Sequence, residues 1–305
     1  MLLSYLGIAV GSILPPFIVN YGVKQSFIDQ AWVLLFITLI AAIFAIPGMR
    51  DDKEIVNQYL EHYKTRKSEE EPLKFFKIFF QALKQKNFVV YIALFLGYNV
   101  LRSCLLGSMQ YGIRYLLKMP AKTSAIIMIG YLIASIIAIP LWVLLAQRKK
   151  NDRKLMILAA IMSSIFTLPM TFLEDLISWI IILILWGIGI AGIFVVGNPI
   201  FADIIDENVA LTKKRREGVF NGFATFITRF SIVIQAIIFA VVHKLTGFVE
   251  GAATQSETAI FGIHISMALI PSLFMLCGTI LFWKYYDLTP KRVSEIREEL
   301  RLIKL

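Results

Sequence analysis

Eight apolar runs, each long enough to cross a bilayer as a helix, constrain this chain more than any other feature. Apolar residues make up 58% of the sequence and the mean hydropathy is +0.72, which excludes an ordinary soluble domain. Only helices and closed barrels span lipid, and the runs lack the alternation of barrel strands. The sequence therefore predicts an all-α, polytopic transmembrane helix bundle. The runs cover residues 1–20, 31–48, 88–109, 124–146, 155–173, 177–200, 218–245 and 260–284.

The positions of the basic residues predict how the helices are oriented. With an even number of helices both termini lie on one side, and the loops there hold 24 of the 31 lysines and arginines, against five in the opposite loops. Because basic loops stay in the cytoplasm, we expect both termini to be cytoplasmic and the protein to lie in the cell membrane. This asymmetry explains the net charge of +10, so no nucleic-acid partner is expected.

A polar, charged segment divides the runs into two and six. Within it, residues 73–86 place aromatic and aliphatic side chains between lysines, which indicates an amphipathic helix at the membrane surface. A basic linker held near anionic lipid is the alternative. Thr289 followed by Pro290 predicts the start of a short charged helix. The predicted parts are a helix pair (1–48), a cytoplasmic central loop (49–87), a six-helix bundle (88–284) and a cytoplasmic tail (285–305).

Two arginines lie deep inside predicted spans, Arg102 in the third and Arg229 in the seventh. A cation near mid-membrane costs at least about 2.5–3.5 kcal/mol on insertion scales, so each is expected to face the bundle interior. Asn99 lies on the same helix as Arg102, and Thr225 lies one turn before Arg229. We expect these four residues to bind substrate in a water-filled central cavity. A charge pair or polar contact between helices is the alternative.

A dense cluster of opposite charges joins the sixth and seventh runs. The segment from Ala202 to Gly218 reads ADIIDENVALTKKRREG, with acids at the end of one span and bases before the next. We expect a loop over residues 203–217. Such charges pair with each other, orient the loop, or open and close a gate.

The sequence contains no motif for catalysis or for a resident metal. It has no phosphate-binding glycine loop, no paired-histidine metal motif and no nucleophile elbow, so neither an enzyme nor a cofactor is expected. His243 and His264 lie near the helix ends opposite the basic loops. A proton-coupling role and a polar position at the membrane interface are both compatible with that placement.

Four groups of residues resemble the glycoside–pentoside–hexuronide:cation symporters, the melibiose-permease-like branch of the major facilitator superfamily. They are GSILPP from Gly11, GYNV from Gly97, ADIID from Ala202 with RREG from Arg215, and YDLT from Tyr286 with EIREEL from Glu295. Their register implies that the eight runs correspond to helices five to twelve of a six-plus-six transporter. The chain would then hold the last two helices of the N-terminal bundle and the C-terminal six-helix bundle.

The resemblance also implies roles for individual residues. A lysine of the family that faces the substrate cavity falls at Arg229, where the planar guanidinium changes the contact. Arg102 departs from the family pattern, which indicates an anionic substrate or a lost coupling role. The charged segment matches the family's cytoplasmic gating salt bridges. The gating residues implied in this way are Asp203, Asp206, Arg215, Arg216 and Glu217.

The function implied by the resemblance is secondary active transport of a small solute, a sugar or glycoside, by cation-coupled symport with alternating access. The coupling cation, Na⁺ or H⁺, would bind acids on helices one to four, so we expect residues 1–305 to be an N-terminally truncated member that lacks normal coupled transport by itself. The implied partners are the small-molecule substrate and the lipid bilayer. The alternatives are a non-transporting scaffold bound to a membrane partner subunit, and a transporter of a lipid-like or other anionic substrate.

Overall fold

The computed structural model describes residues 7, 10–49, 56–57, 60, 75–214 and 217–302. Helices make up most of this part of the chain and no strand occurs within it, which confirms the all-α prediction. A short helical turn, Pro15–Ile18, precedes the longer elements. These are α1 (Lys24–Ala45), α2 (Phe75–Lys84), α3 (Lys86–Leu116), α4 (Thr123–Lys149), α5 (Asp152–Thr171), α6 (Leu176–Thr212), α7 (Glu217–Thr246), α8 (Glu257–Tyr285) and α9 (Pro290–Leu302).

Seven helices of the described part, α1 and α3 to α8, are long and apolar enough to cross a membrane. Each of them coincides with one of the predicted runs from 31–48 onward, so the predicted polytopic bundle is confirmed. The first predicted run, 1–20, falls largely outside the described residues. The count of eight spans therefore stays a prediction.

The predicted loop over 203–217 is wrong for most of its length, because α6 continues to Thr212. Ile205 and Val209 lie four residues apart, on one face of the helix, and are buried, so packing against the bundle extends the helix beyond its wholly apolar run. The helix ends at Lys213, whose φ of 54° is the left-handed conformation typical of a helix C-cap. The acids of this segment therefore project from a helix, and their directions follow its 3.6-residue period.

Small residues determine how closely the helices approach one another. A Cβ atom at Gly187 on α6 would lie 2.8 Å from the backbone oxygen of Tyr131 on α4. A Cβ atom at Gly97 on α3 would lie 2.8 Å from the backbone oxygen of Phe274 on α8. Membrane helices pack tightly where such residues let their backbones meet. The pairs α4–α6 and α3–α8 are therefore in direct backbone contact.

Polar contacts identify two ends of the bundle. At one end Lys213, just after α6, forms a 2.7 Å ion pair with Glu299 on α9. We call this the basic end, because the loops rich in lysine and arginine lie here. At the opposite end the side chain of Arg114 on α3 donates to the backbone oxygen of Ala252, in the loop before α8. The spans therefore alternate in direction between these two ends.

Two short helices flank the spans at the basic end. Helix α2 lies within the segment predicted to be amphipathic, and the ring of Phe79 lies 4.8 Å from that of Phe223 on α7, edge to face. Its position at the membrane surface stays a prediction. Helix α9 begins at Pro290, as the preceding Thr289 predicts, and it buries Ile296 against the bundle. Both helices therefore pack on the ends of the spans.

Candidate functional site

A cavity of about 350 Å³ lies between α3, α6 and α7, near the middle of α3. Three of the four predicted substrate residues, Asn99, Arg102 and Thr225, line it. Apart from Ile92 and Ala224, the other lining side chains are aromatic rings, amides and hydroxyls: Tyr91, Phe95, Tyr98, Phe194 and Phe201, with Asn198, Asn221 and Thr228. The cavity therefore surrounds the guanidinium of Arg102 with aromatic faces and hydrogen-bonding groups.

Arg102 is the single charged residue among those that line this cavity. Its side chain is half-buried, and no carboxylate of the described residues forms an ion pair with it. A guanidinium presents a planar fork of donors that matches a carboxylate or phosphate in two parallel hydrogen bonds. Arg102 is therefore placed to bind an anionic group within the cavity.

Arg229, the fourth predicted substrate residue, does not line the cavity. It lies one helical turn beyond Thr225 on α7 and its side chain is exposed. Helix α7 is the least covered of the six spans α3 to α8, with only 17% of its most apolar window buried. The helical spacing identified the correct side of α7 for Thr225, but it did not show how far along the helix the cavity extends.

The aromatic lining of the cavity was missed in the sequence analysis. The ring of Tyr91 is stacked on that of Phe201 with 5.3 Å between centroids, and its hydroxyl donates to the backbone oxygen of Gly197 at 3.2 Å. The side-chain amide of Asn99 donates to the backbone oxygen of Phe95 at 2.8 Å. Tyr91, Phe95, Asn99 and Arg102 recur every three or four residues, so they share one face of α3. That spacing could have identified the face.

Asp203, the first predicted gating residue, forms an ion pair at the basic end. Its carboxylate accepts a 2.8 Å hydrogen bond from the guanidinium of Arg297 on α9. The side chain of Asp203 is 9% exposed, whereas that of Arg297 is 59% exposed. The predicted partners Arg215 and Arg216 lie outside the described residues. Arg297 was not predicted as the partner of Asp203, because no residue spacing in the sequence indicates that α6 contacts α9.

The other predicted gating acids differ in their surroundings. Asp206 is half-buried on the last turns of α6, and Glu217 is the first residue of α7. The neighbouring Glu207 accepts hydrogen bonds from the side-chain amides of Gln85, at 2.7 Å, and Asn87, at 2.9 Å. Glu207 therefore joins the end of α6 to the start of α3. These amide contacts were not predicted.

Asp287 completes the polar network at the basic end. Its carboxylate accepts from Lys86 at 2.8 Å and from Asn87 at 2.7 Å, and its backbone N–H donates to the side-chain oxygen of Asn87. Partial burial acts to raise the pKa of Asp287, but the hydrogen bonds from Lys86 and Asn87 outweigh it, so the pKa lies below its usual range. The charged form of Asp287 is therefore the one that the fold stabilises.

A second group of polar contacts joins the segment before α1 to α3 at the opposite end. The hydroxyl of Tyr21 donates to the side-chain oxygen of Gln110 at 2.6 Å, and Arg114 lies 5.5 Å from the centre of the Tyr21 ring. Burial raises the pKa of Tyr21 to about 12, and the positive charge of Arg114 acts in the opposite direction. The Tyr21 hydroxyl is therefore a donor at neutral pH.

Comparisons with known proteins agree with this arrangement. A family model described as MFS/sugar transport protein matches residues 1–289. An uncharacterized symporter of Synechocystis sp. is 25% identical over 120 residues, which are 38% of this chain and 22% of that protein. A glucuronide carrier protein homolog of Escherichia coli is 32% identical over 99 residues, 32% of this chain and 21% of that protein. The chain thus spans about a fifth of the length of the curated relatives it matches.

Proposed function

The chain belongs to the MFS/sugar transport family, and on this premise we propose that it forms part or all of a secondary transporter that moves a sugar or glycoside by cation-coupled symport. The family resemblance is confirmed, and with it an integral, multi-pass membrane protein. The observation that carries the proposal is the cavity between α3, α6 and α7, which combines aromatic faces, amides, hydroxyls and one arginine.

The lining matches the chemistry of a sugar. The apolar C–H faces of a sugar ring pack on aromatic rings, and the ring of Tyr91 lies 4.5 Å from that of Phe95 and 5.3 Å from that of Phe201. Sugar hydroxyls both donate and accept, as do the side chains of Asn99 and Thr225. A ligand held this way would be surrounded by groups from three helices, as expected for a site near the middle of the bilayer.

Arg102 favours a particular kind of sugar. A guanidinium that has no carboxylate partner among the described residues is costly near mid-membrane, and an anionic ligand would offset that cost. We infer that the preferred substrate is a glycoside that carries a carboxylate. One relative is named a glucuronide carrier homolog, which supports this class. A lipid-like anion is the second candidate, and the aromatic lining favours it less than a sugar.

Equilibrium binding of two matched ligands tests the substrate class. The ligands are phenyl glucoside and phenyl glucuronide, which differ only at C6, where the glucuronide has a carboxylate in place of the hydroxymethyl group. The protein is the natural gene product purified in detergent. In Arg102→Gln we expect glucuronide affinity to fall about ten- to a hundredfold, since a hydrogen bond to a charged group contributes roughly 1.5–3 kcal/mol. Glucoside affinity should change little. Arg148→Gln, which removes a charge at the exposed end of α4, is the matched control.

Each result has a distinct meaning. An equal loss for both ligands would make Arg102 a structural residue, and unchanged glucuronide affinity would exclude it from the site.

Symport itself is tested by uptake into vesicles with and without a sodium or proton gradient. An uptake rate that is the same with and without either gradient would contradict cation coupling. Absence of any uptake, with another membrane protein copurifying, would favour the scaffold.

We further propose that the basic end faces the cytoplasm and that transport proceeds by alternating access. The excess of lysine and arginine in the loops at that end supports the orientation. A contact at the opposite end supports a closing mechanism, because the hydrogen bond of Tyr21 with Gln110 joins the segment before α1 to α3. The gating roles of Asp206, Arg215, Arg216 and Glu217 remain part of this proposal.

A further inference from the structure

His264 is a buried histidine held between two hydrogen-bond acceptors at the end opposite the basic end. Its side chain is 4% exposed and lies on α8. Its Nδ1 atom lies 2.8 Å from the backbone oxygen of Met170, in the last turn of α5. Its Nε2 atom lies 3.2 Å from the carboxylate of Glu174, in the loop between α5 and α6.

The two contacts can both be hydrogen bonds only if the pair carries one proton more than a neutral histidine and a carboxylate supply. A backbone carbonyl only accepts, so the 2.8 Å contact with Met170 requires a proton on Nδ1. Neutral imidazole then has a lone pair on Nε2, which would face the acceptor oxygens of Glu174. The 3.2 Å contact therefore requires a second proton, carried by Nε2 or by the carboxyl group.

We propose that His264 and Glu174 form a proton-binding site that exchanges with the solvent at the end opposite the basic end. The two side chains differ in access: Glu174 is 57% exposed, whereas His264 is buried. A proton can therefore reach the buried imidazole through the exposed carboxylate. This site is separate from the sugar cavity, and the inference holds whether or not the proposed transport function is correct.

The neighbouring elements do not supply another ion-pair partner for His264 within the described residues. The elements that pack against this part of α8 are α3, α7 and the end of α5. In the described part of the chain, the charged group that contacts the imidazole is Glu174, in the loop after α5. The other charged or titratable groups of the described residues at this end come from every neighbouring loop. They are Tyr111, Arg114 and Tyr115 on α3, Lys118 and Lys122 after it, His243 and Lys244 on α7, Asp175 beside Glu174, Glu250 in the loop before α8, Glu257 at the start of α8, and Tyr21, Lys24 and Asp29 at and before the start of α1.

The position of His264 in its helix connects the site with the rest of the bundle. It is followed at once by a π-helical turn, Ile265–Leu269, which interrupts α8 and packs against α3. Such turns are frequent at functional sites, because the extra residue loosens the regular hydrogen-bond ladder. Loss of the proton would set the Nε2 lone pair against the carboxylate and release the loop after α5 from α8. Protonation therefore adjusts the contact between α8 and the ends of α5 and α6.

Nuclear magnetic resonance of the whole protein labelled with ¹⁵N-histidine tests this proposal directly, because the sequence has only three histidines. His243 is the internal control: it lies at the same end, with its ring stacked on Phe248 at 4.4 Å. At neutral pH we expect Nε2 of His264 to carry a proton in the natural protein. In Glu174→Gln we expect the same atom to be an unprotonated acceptor, since a side-chain amide can donate to neutral Nε2. The signals of His243 should be the same in both proteins.

Infrared spectroscopy covers the case in which the proton is on the carboxyl group. A protonated carboxyl band at neutral pH that is absent in Glu174→Gln would also support the shared proton. The proposal is overturned if Nε2 of His264 is unprotonated in the natural protein at neutral pH and no such band is present. An imidazolium signal that persists unchanged in Glu174→Gln would likewise exclude Glu174 from the site.

Discussion

The ion pair between Asp203 and Arg297 should respond very differently to the loss of one partner or the other. Asp203 is 9% exposed, so removing the arginine leaves a carboxylate that water can scarcely reach. Arg297 is 59% exposed, so removing the carboxylate leaves a guanidinium that stays hydrated. The direction of the asymmetry follows from burial alone, because the bond that is lost is the same in both variants.

The expected magnitudes follow from these exposures. Breaking a fully buried pair costs roughly 3–5 kcal/mol, and the exposure of the arginine reduces this to about 1–3 kcal/mol for Arg297→Met. For Asp203→Asn we expect at most about 1 kcal/mol, as for an exposed pair. Methionine keeps the length and apolar surface of the arginine stem, so lost packing contributes little to the difference.

A second ion pair provides a matched control. Lys213 and Glu299 also join the end of α6 to α9, at 2.7 Å, but their side chains are 49% and 52% exposed. Lys213→Met and Glu299→Gln should therefore each cost only about 0.2–1 kcal/mol, and the two should be nearly equal. The assay is the thermal unfolding midpoint of the detergent-solubilised protein, measured at low and high salt. High salt should abolish the control effects and leave most of that of Arg297→Met.

Equal destabilisation by Asp203→Asn and Arg297→Met would contradict the claim that the burial of Asp203 makes the loss of Arg297 more costly. A loss of stability in Arg297→Met that disappears in high salt, as the control effects do, would show that Asp203 is solvated. Equal effects from all four substitutions would mean that the ends of α6 and α9 are hydrated alike, contrary to the structure.

Two further predictions concern packing and pH. Gly97→Ala should lower the unfolding midpoint, because the new Cβ would lie 2.8 Å from the backbone of α8 and overpacking costs about 1–3 kcal/mol. Gly222→Ala on α7, which meets nothing within 4 Å, should not lower it, and a matching loss would contradict the packing argument. Asp287 has a lowered pKa, so its stabilising contribution should be present at neutral pH and be lost as the pH falls through the folded-state value. Unfolding midpoints on the acid side should therefore fall less steeply in Asp287→Asn than in the natural protein, and identical pH profiles would refute this assignment.

The sequence was sufficient to predict the class of fold because a bilayer imposes a length on every span. Seven of the predicted runs coincide with spans of the structure, and α9 begins at the predicted Pro290. The boundary after α6 was wrong because the bilayer limits the apolar stretch of a helix and not the helix itself. Ile205 and Val209 extend α6 through contacts with the bundle, and hydropathy does not report such contacts.

The site was only partly predictable, for a related reason. Spacing along one helix shows which residues share a face. It correctly placed Asn99 and Arg102 on one face of α3, and the packing of α3 beside α7 brings Thr225 to the same cavity. It does not show which part of that face a cavity reaches, so Arg229 was grouped with them although it lies outside the cavity. The partners of Asp203 and Glu207 come from residues about a hundred positions away, and no local pattern identifies them.

The described contacts also constrain what the ion pair of Asp203 can do in a transport cycle. Asp203 and Arg297 both belong to the unit formed by α3 to α9, so their bond stabilises that unit and need not break when it moves relative to other helices. Tyr21, in contrast, lies before α1, and its bond with Gln110 crosses from that segment to α3. A motion that separates the two segments must break this bond, at a net cost of only about 0.5–1.5 kcal/mol for a neutral hydrogen bond. This hydrogen bond is therefore weak enough to open during the proposed transport cycle, and a gating role for Asp203 would require a partner outside the unit.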